Sequence, residues 1–307
     1  MGLDGVPYTL LKHYLSGGLL PEFSALCKSG ELLKMKSSLP EISSVAWSSF
    51  ITGKNPGQHG IFGFMGVDWQ NYEYRFPNFH SIKEKPFWEK EDIKTIAFNI
   101  PQTYPAIPLQ GVKVSGFVAL DLKKATYPER VFHYLNKIGY KTDVDSQKAT
   151  ESPEMFFTDL FETFAKRKQA IEYLYENEDW QLFIGIITET DRLHHFFFDS
   201  AKEGKYFSVF ERFYTELDAF LDVMAKKEIF YGAYAGMGPD LYLLPNHGFD
   251  LKASAGTNAV FGLKQFRGMH TYDDAHLFVS HPVKNKAGHI SIEHISDIIV
   301  DYLQIVS

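Results

Sequence analysis

"WQLFIGIITETDRLHHFFFD", residues 180–199, holds two patterns in succession. Its first half, "WQLFIGIITE", is a continuous apolar run with β-branched residues, which is how a strand covered on both faces reads. Such a strand belongs to a sheet between helical layers. Its second half sets charged and imidazole side chains immediately after that run. In α/β sheets ligand sites gather at the carboxyl ends of strands, and Asp191 and His195 stand at that point. They are four residues apart, so a helical continuation puts both on one face, one turn apart. A carboxylate and an imidazole at that spacing can ligate one divalent cation. A surface Asp–His pair is the plain alternative. His194 is turned roughly 100° away and is not expected to share the task.

The alternation extends in both directions. "PEFSALCKSGELLKM" reads as a helix with a glycine stop, and "SVAWSSFITG" as a helix beginning at the Ser43–Ser44 pair. "KTIAFNIPQTYP", "VKVSGF", "PDLYLLP" and "AHLFVS" read as short strands. "PEMFFTDLFETFAKRKQAIEYLYENE" and "FSVFERFYTELDAFLDVMAKK" carry apolar residues at helical spacing, and "ISIEHISDIIVDYLQIV" closes the chain as a helix. Strands alternating with long helices predict an α/β fold with a mainly parallel central sheet between helical layers. There is no internal repeat and no low-complexity segment.

The 307 residues, 45% hydrophobic and 16% aromatic, suffice for a substantial core and are expected to form a single domain, 1–307. The 31 basic and 38 acidic residues give a net charge of −7 with no basic block, so no nucleic-acid partner is expected. One cysteine, Cys27, excludes an intramolecular disulfide and a cysteine zinc cluster; it is expected to be a partly buried helix residue. No apolar run reaches membrane-spanning length, so no membrane partner is expected. "MGLDGVPY" lacks the basic-then-apolar pattern of an export leader, and Val6 stands where an N-myristoylation motif needs Ser or Thr. The expected location is the cytoplasm.

Other candidates are weaker taken singly. "PEISSVAWSSFITGKNPGQHGIFGF", residues 40–64, sets several hydroxyls beside a Gly/Pro-rich turn. That is either an ordinary helix start or the setting of a nucleophile. Asp4 in "GLDG" is a ligand or a turn residue. His270 lies two residues after Gly268 in "RGMHTYDDAHLFV", and His247 lies beside a glycine in "LLPNHGFD". A lone histidine is more often structural, and with 12 histidines in the chain most must serve otherwise. Asp273, Asp274 and His276 are expected to be solvated or hydrogen-bonded.

Six ordered stretches together resemble the type I phosphodiesterase/nucleotide pyrophosphatase branch of the alkaline phosphatase superfamily, and in particular its microbial predicted phosphohydrolase/phosphomutase group. They are "GLDG", "PEISSVAWSSFITGKNPGQHGIF", "NIPQTYPAIPLQGVKVSGF", "TETDRLHHFFF", "GPDLYLLPNHGFDLK" and "GMHTYDDAHLF". The resemblance implies an alkaline-phosphatase-like catalytic domain with two divalent metal ions, zinc or manganese, and a Ser or Thr nucleophile. The family's nucleophile position falls on Ser43, leaving Ser44, Ser48 and Ser49 to capping or packing. One metal would be held by Asp191, His195 and His270, the other by Asp4 and the Ser43 oxygen. The implied course on a small phosphorylated substrate is attack by Ser43, a phosphoserine intermediate, then hydrolysis. That is a phosphodiesterase or phosphatase reaction.

The chain also departs from the pattern. The family's Ser-Asp-His-Gly motif, which supplies two ligands to the nucleophile's metal, is not intact. Either a family segment is missing near 227–228, or "PNHGF" replaces it with Asn246 and His247 standing in. An amide in place of a carboxylate would weaken that metal site, and under either explanation the expected count is two divalent ions or only one. A catalytically impaired member binding a metal or phosphorylated ligand, and a phosphomutase, are therefore the alternatives to a hydrolase. Ser43 rather than Cys at the nucleophile position speaks against a sulfatase. The strand that should precede "GLDG" is expected to be absent or only two residues long, giving Asp4 a less rigid support. Phe64 stands where eukaryotic members carry a phosphate-contacting Asn, and the oligomeric state is left open.

Overall fold

Period-two side-chain alternation on both faces organises the molecule, which a computed structural model describes for residues 1–68, 70–90, 92–230, 241–246, 271–280 and 290–306. The strands are β1 (Gly2–Leu3), β2 (Glu31–Met35), β3 (Gly66–Asp68), β4 (Glu73–Arg75), β5 (Thr95–Ile100), β6 (Gly111–Ser115), β7 (Thr126–Tyr127), β8 (Leu182–Ile187), β9 (Leu241–Asn246) and β10 (Thr271–Val279). Eight of them form one sheet among the described residues, in the order β2-β10-β9-β1-β8-β5-β6-β7. The run from β9 through β6 is parallel, and β10, β2 and β7 join antiparallel at the edges. The expected mainly parallel α/β sheet is what is found.

Two apolar clusters sit on opposite faces, and the strands feed them alternately. Ile96 and Phe98 of β5, Val112 and Val114 of β6, and Phe278 of β10 enter the first, which packs the Pro153–Asn177 and Phe207–Phe230 helices. Ala97 and Ile100 of β5, with Ala275 and Leu277 of β10, enter the second. That cluster packs the Ser43–Thr52 and Ile295–Val306 helices. Fully buried strands such as β5 carry apolar residues on both faces because no face meets water.

Two local readings change. "PEFSALCKSGELLKM" is not one helix: the helix is Pro21–Ser29, and "ELLKM" is edge strand β2. A Cβ at Gly30 would lie 2.4 Å from the Val279 carbonyl oxygen, so that glycine permits the close approach of β2 to β10. β1 is two residues long, within what the sequence suggests, yet its support is not weak. It lies between β8 and β9, pairing Gly2 with Ile186 and with Leu243. Cys27 is partly buried on its helix, with its thiol pushed up to about 11 by burial.

Candidate active site at the β1 and β8 strand ends

Strands β1 and β8 run parallel and side by side, so their carboxyl ends deliver Asp4 and the Thr188–Asp191 turn to one place. The Asp4 N–H donates to the Ile187 carbonyl (2.9 Å), and the Thr190 hydroxyl donates to the Asp4 carbonyl (2.6 Å). Gly5 follows at φ +70°, and a Cβ there would come within 3.0 Å of the Asp191 backbone. Only glycine takes this conformation and this proximity without strain. The short strand thus holds Asp4 firmly by bonds from the next strand and from the helix after it.

Ser43 is the first residue of the Ser43–Thr52 helix, and Ile42 rather than a serine occupies the N-cap. The Ser43 hydroxyl donates to Asp4 Oδ1 at 3.2 Å. A helix N-terminus leaves N–H groups without intrahelical partners and favours an anion there. The neighbouring serines pack as expected but do not cap. Ser48 Oγ donates to the Ser44 carbonyl, and Ser49 Oγ lies 3.0 Å from His59 Nε2. His59 Nδ1 accepts the Ile61 N–H (3.1 Å), so Nε2 carries the proton toward Ser49. Burial holds the His59 imidazole down at about 4, consistent with a neutral ring that staples the Gly/Pro-rich turn to this helix.

Asp191 and His195 lie one turn apart on the Glu189–Phe197 helix, with His195 Nε2 3.2 Å from Asp191 Oδ1. His194 faces elsewhere. Its Nδ1–H donates to the Gly5 carbonyl (2.7 Å), and its Nε2 accepts the Tyr214 hydroxyl (2.9 Å). The two adjacent histidines point to different partners because of helical rotation, as the spacing predicts.

Several polar residues that shape the site were not singled out in the sequence. Arg192 Nη1 donates to Asp191 Oδ2 at 2.9 Å, while its Nε and Nη2 hold Asp143 at 3.0 and 2.7 Å. Its guanidinium carbon lies 4.3 Å from the centroid of the Phe117 ring. Burial works against the Arg192 charge, but Asp143 and then Asp191 raise its pKa above the usual value. Below this, Glu189 and Arg167 form an ion pair at 2.8 Å with both side chains fully buried. Arg167 also donates to the Tyr140 hydroxyl and to the Thr188 hydroxyl. Asn99, at φ +59° where β5 ends, donates to the Ile186 carbonyl (2.8 Å) and to the Thr188 hydroxyl. Asparagine tolerates this left-handed conformation better than most residues. Arg192 and Glu189 stand inside the quoted stretch and could have been flagged as charges beside a buried strand. Asp143 and Arg167 have no such local signal.

Asp4 and Asp191 are 2% and 3% exposed. Buried carboxylates need cationic compensation, and Arg192 shares its single charge with Asp143. Carboxylates, an imidazole and a hydroxyl are donors that divalent cations accept, so the residues present fit such an ion. Among the described residues no group of three or more ligand-type side chains converges. His270 and His247, also expected in the metal sites, lie outside the described residues. So does most of the surroundings of the proposed gap near 227–228. Asn246 ends β9, and β10 begins at Thr271, the residue after His270. No described helix is long and apolar enough to cross a membrane.

The family model described as type I phosphodiesterase / nucleotide pyrophosphatase matches residues 1–227. No curated protein matches. Phosphonoacetate hydrolase from Sinorhizobium meliloti 1021, solved with phosphonoformate, is similar in fold at a TM-score of 0.52 and 14% identity. The same enzyme solved with phosphonoacetate matches at 0.52 and 15%. Each match covers 80% of this chain and 56% of the other, so the chain spans little more than half the length of that hydrolase.

Proposed function

This chain belongs to the type I phosphodiesterase/nucleotide pyrophosphatase family, and from that premise we propose that it is a metal-dependent phosphoric-ester hydrolase with Ser43 as nucleophile. The observation that carries the reading is the hydrogen bond from Ser43 Oγ to Asp4 Oδ1 at a helix N-terminus beside Asp191. On this proposal Asp191, His195 and His270 would hold one divalent cation, and Asp4 with Ser43 a second. Such ions, when bound, supply positive charge to the phosphoryl oxygens and favour the ionised serine.

The chain's own residues account for the rest. Ser43 Oγ attacks phosphorus while its proton moves along the hydrogen bond to Asp4 Oδ1, the ester P–O bond breaks, and the alcohol departs carrying that proton. The helix N-terminus stabilises charge on the transferred group. Arg192 keeps the Asp191 carboxylate oriented through Oδ2, leaving Oδ1 toward His195. Water then hydrolyses the phosphoserine. The substrate is a small phosphorylated compound, and the location is cytoplasmic. The 1–307 chain acts as one catalytic domain lacking a family segment near 227–228.

Ser43→Ala tests this directly. Turnover of p-nitrophenyl phosphate esters by zinc- or manganese-loaded protein is expected to fall at least ~1000-fold. Metal content of the Asp191/His195/His270 site, measured by elemental mass spectrometry, is expected to persist. Full activity in that variant would remove Ser43 from its role. Two ions per chain would support a complete hydrolytic centre. No turnover of any ester by an unmutated chain holding one ion would instead favour the impaired reading.

A further inference from the structure

Asp143 reaches the candidate active site from a segment that no sequence motif marks. The stretch from Tyr140 to Lys148 connects the Glu129–Lys137 helix toward the Pro153–Asn177 helix, and it is pinned on both sides of Asp143. Arg167 donates to the Tyr140 hydroxyl and, at 3.4 Å, to the Thr142 carbonyl. The Asp145 N–H donates to Asp159 Oδ2 at 2.8 Å. Lys141 and Lys148 both reach Asp159 Oδ1, at 2.8 and 2.7 Å. Asp143 stands between these anchors, so its carboxylate is delivered on a fixed support.

Its chief partner is Arg192. Arg192 Nε lies 3.0 Å from both Asp143 oxygens and Nη2 lies 2.7 Å from Oδ2, a forked contact. The Val144 N–H steadies Asp143 Oδ1 at 2.9 Å. Arg192 gives Asp191 a single N–H, from Nη1 to Oδ2. The guanidinium is therefore weighted toward Asp143 and away from Asp191. Burial works against its charge, and Asp143 favours that charge more than Asp191 and Asp4 do. Three carboxylates thus act on one cation, which leaves a surplus of negative charge at the strand ends. A surplus of that kind is what a divalent cation binds to. Among the described residues, the one other carboxylate to which Arg192 donates is Asp191, so without Asp143 the guanidinium would compete there with an incoming ion.

We propose that Asp143 is a positioning residue for cation binding: by holding the Arg192 guanidinium in a fork, it leaves Asp191 open to a divalent cation. This deepens the hydrolase reading and rests on it in one respect, that Asp191 is a cation ligand. Arg192 then fixes the angle of the Asp191 carboxylate through Oδ2 without taking over its charge. Asp143 touches neither substrate nor ion and acts through Arg192 alone.

The test reads metal affinity rather than turnover. Manganese alone is titrated calorimetrically into metal-free full-length protein, and the ion that Asp191→Asn removes identifies the Asp191 site. In Asp143→Asn the dissociation constant of that ion is expected to rise about 30-fold, within the range for losing a partner that orients a metal ligand. The Asp143 side chain is 19% exposed, so this near-isosteric change is expected to leave the fold intact. Asp143→Ser is a second variant with the same expectation, and Asp143→Glu is expected to restore most of the affinity. A double-mutant cycle decides the route. In an Arg192→Met background, Asp143→Asn is expected to change the dissociation constant less than about threefold, because its effect passes through Arg192. A loss of threefold or more in that background would mean that Asp143 acts on the ion directly, and would overturn the proposal. Unchanged affinity in both Asp143→Asn and Asp143→Ser would also overturn it, and a lowered urea midpoint alone would assign Asp143 to the fold. Either result, with ester turnover by the unmutated chain, leaves the hydrolase reading standing. No manganese bound by the unmutated chain, or none that Asp191→Asn removes, would take away both.

Discussion

Arg167 and Lys113 are both cations buried against the same sheet, and the protein treats them in opposite ways. Arg167, fully buried, has Glu189 at 2.8 Å together with two hydroxyls, and it stays charged despite burial. Lys113, 1% exposed on β6, has its ammonium 3.1 Å from the centroid of the Phe79 ring. Burial pushes it down to about 7, and the more distant Glu89 only partly resists. A guanidinium can satisfy a carboxylate and two hydroxyls at once, whereas a desolvated ammonium gives up its proton readily. The paired cation lies under the candidate active site and holds the turn that presents Asp191. Lys113, with no carboxylate paired to it among the described residues, packs on Phe79 of the second apolar cluster. Burial alone therefore does not decide whether a charge survives; the partner does.

The largest break in this comparison is Glu189→Ala, which leaves Arg167 buried without its carboxylate. Urea unfolding is expected to show a loss of about 4 kcal/mol, the range for removing one member of a buried pair. Arg167→Met combined with Glu189→Leu is expected to recover most of it. If the single variant is neutral, the pair does not anchor the β8 turn.

Lys113→Met probes the opposite case. The Lys113 pKa is lowered in the folded state, from an unfolded value of 10.5 to about 7. Between these values the unfolded chain binds a proton that the folded chain does not, so stability rises with pH across that window. The methionine variant is expected to be more stable by about 4 kcal/mol at pH 7, with the gain shrinking toward pH 10.5. A gain independent of pH would mean packing, not charge, is the cause.

The smallest effect sharpens the site side of the comparison. Arg192→Lys keeps the positive charge but cannot hold Asp143 and Asp191 in the same forked geometry. Ester turnover is expected to fall about tenfold, the lower range for loss of a ligand-orienting partner, with little change in urea midpoint. An equal loss of stability and turnover would assign Arg192 to the fold alone.

Much of the architecture was legible in the sequence because burial leaves periodic traces. The apolar run before Asp191 marked a central strand, and the helical spacing separated His194 from His195. The edge strand β2 was not legible. "ELLKM" lacks a distinctive period, and its strand state comes from pairing with β10, more than two hundred residues away. The support of Asp4 was misjudged for the same reason. A two-residue strand looks weak in isolation, but the hydrogen bond from the Asp4 N–H to Ile187 and the one from the Thr190 hydroxyl to Asp4 hold it in place.

The sequence by itself determined the alternation of strands and helices, the α/β class, and the candidates Asp4, Ser43, Asp191 and His195. The class and the Asp191–His195 pair follow from local chemistry, apolar periodicity and one-turn spacing, whereas Asp4 and Ser43 were singled out by their match to the family's motifs. Tertiary structure decided that Ser43 meets Asp4, that Arg192 and Asp143 orient Asp191, and that the Arg167 pKa is raised while that of Lys113 is pushed down to about 7. Those outcomes depend on which groups approach within a few ångströms after the sheet is assembled. Electrostatic and hydrogen-bond energies change steeply over that distance, and no local pattern along the chain encodes it.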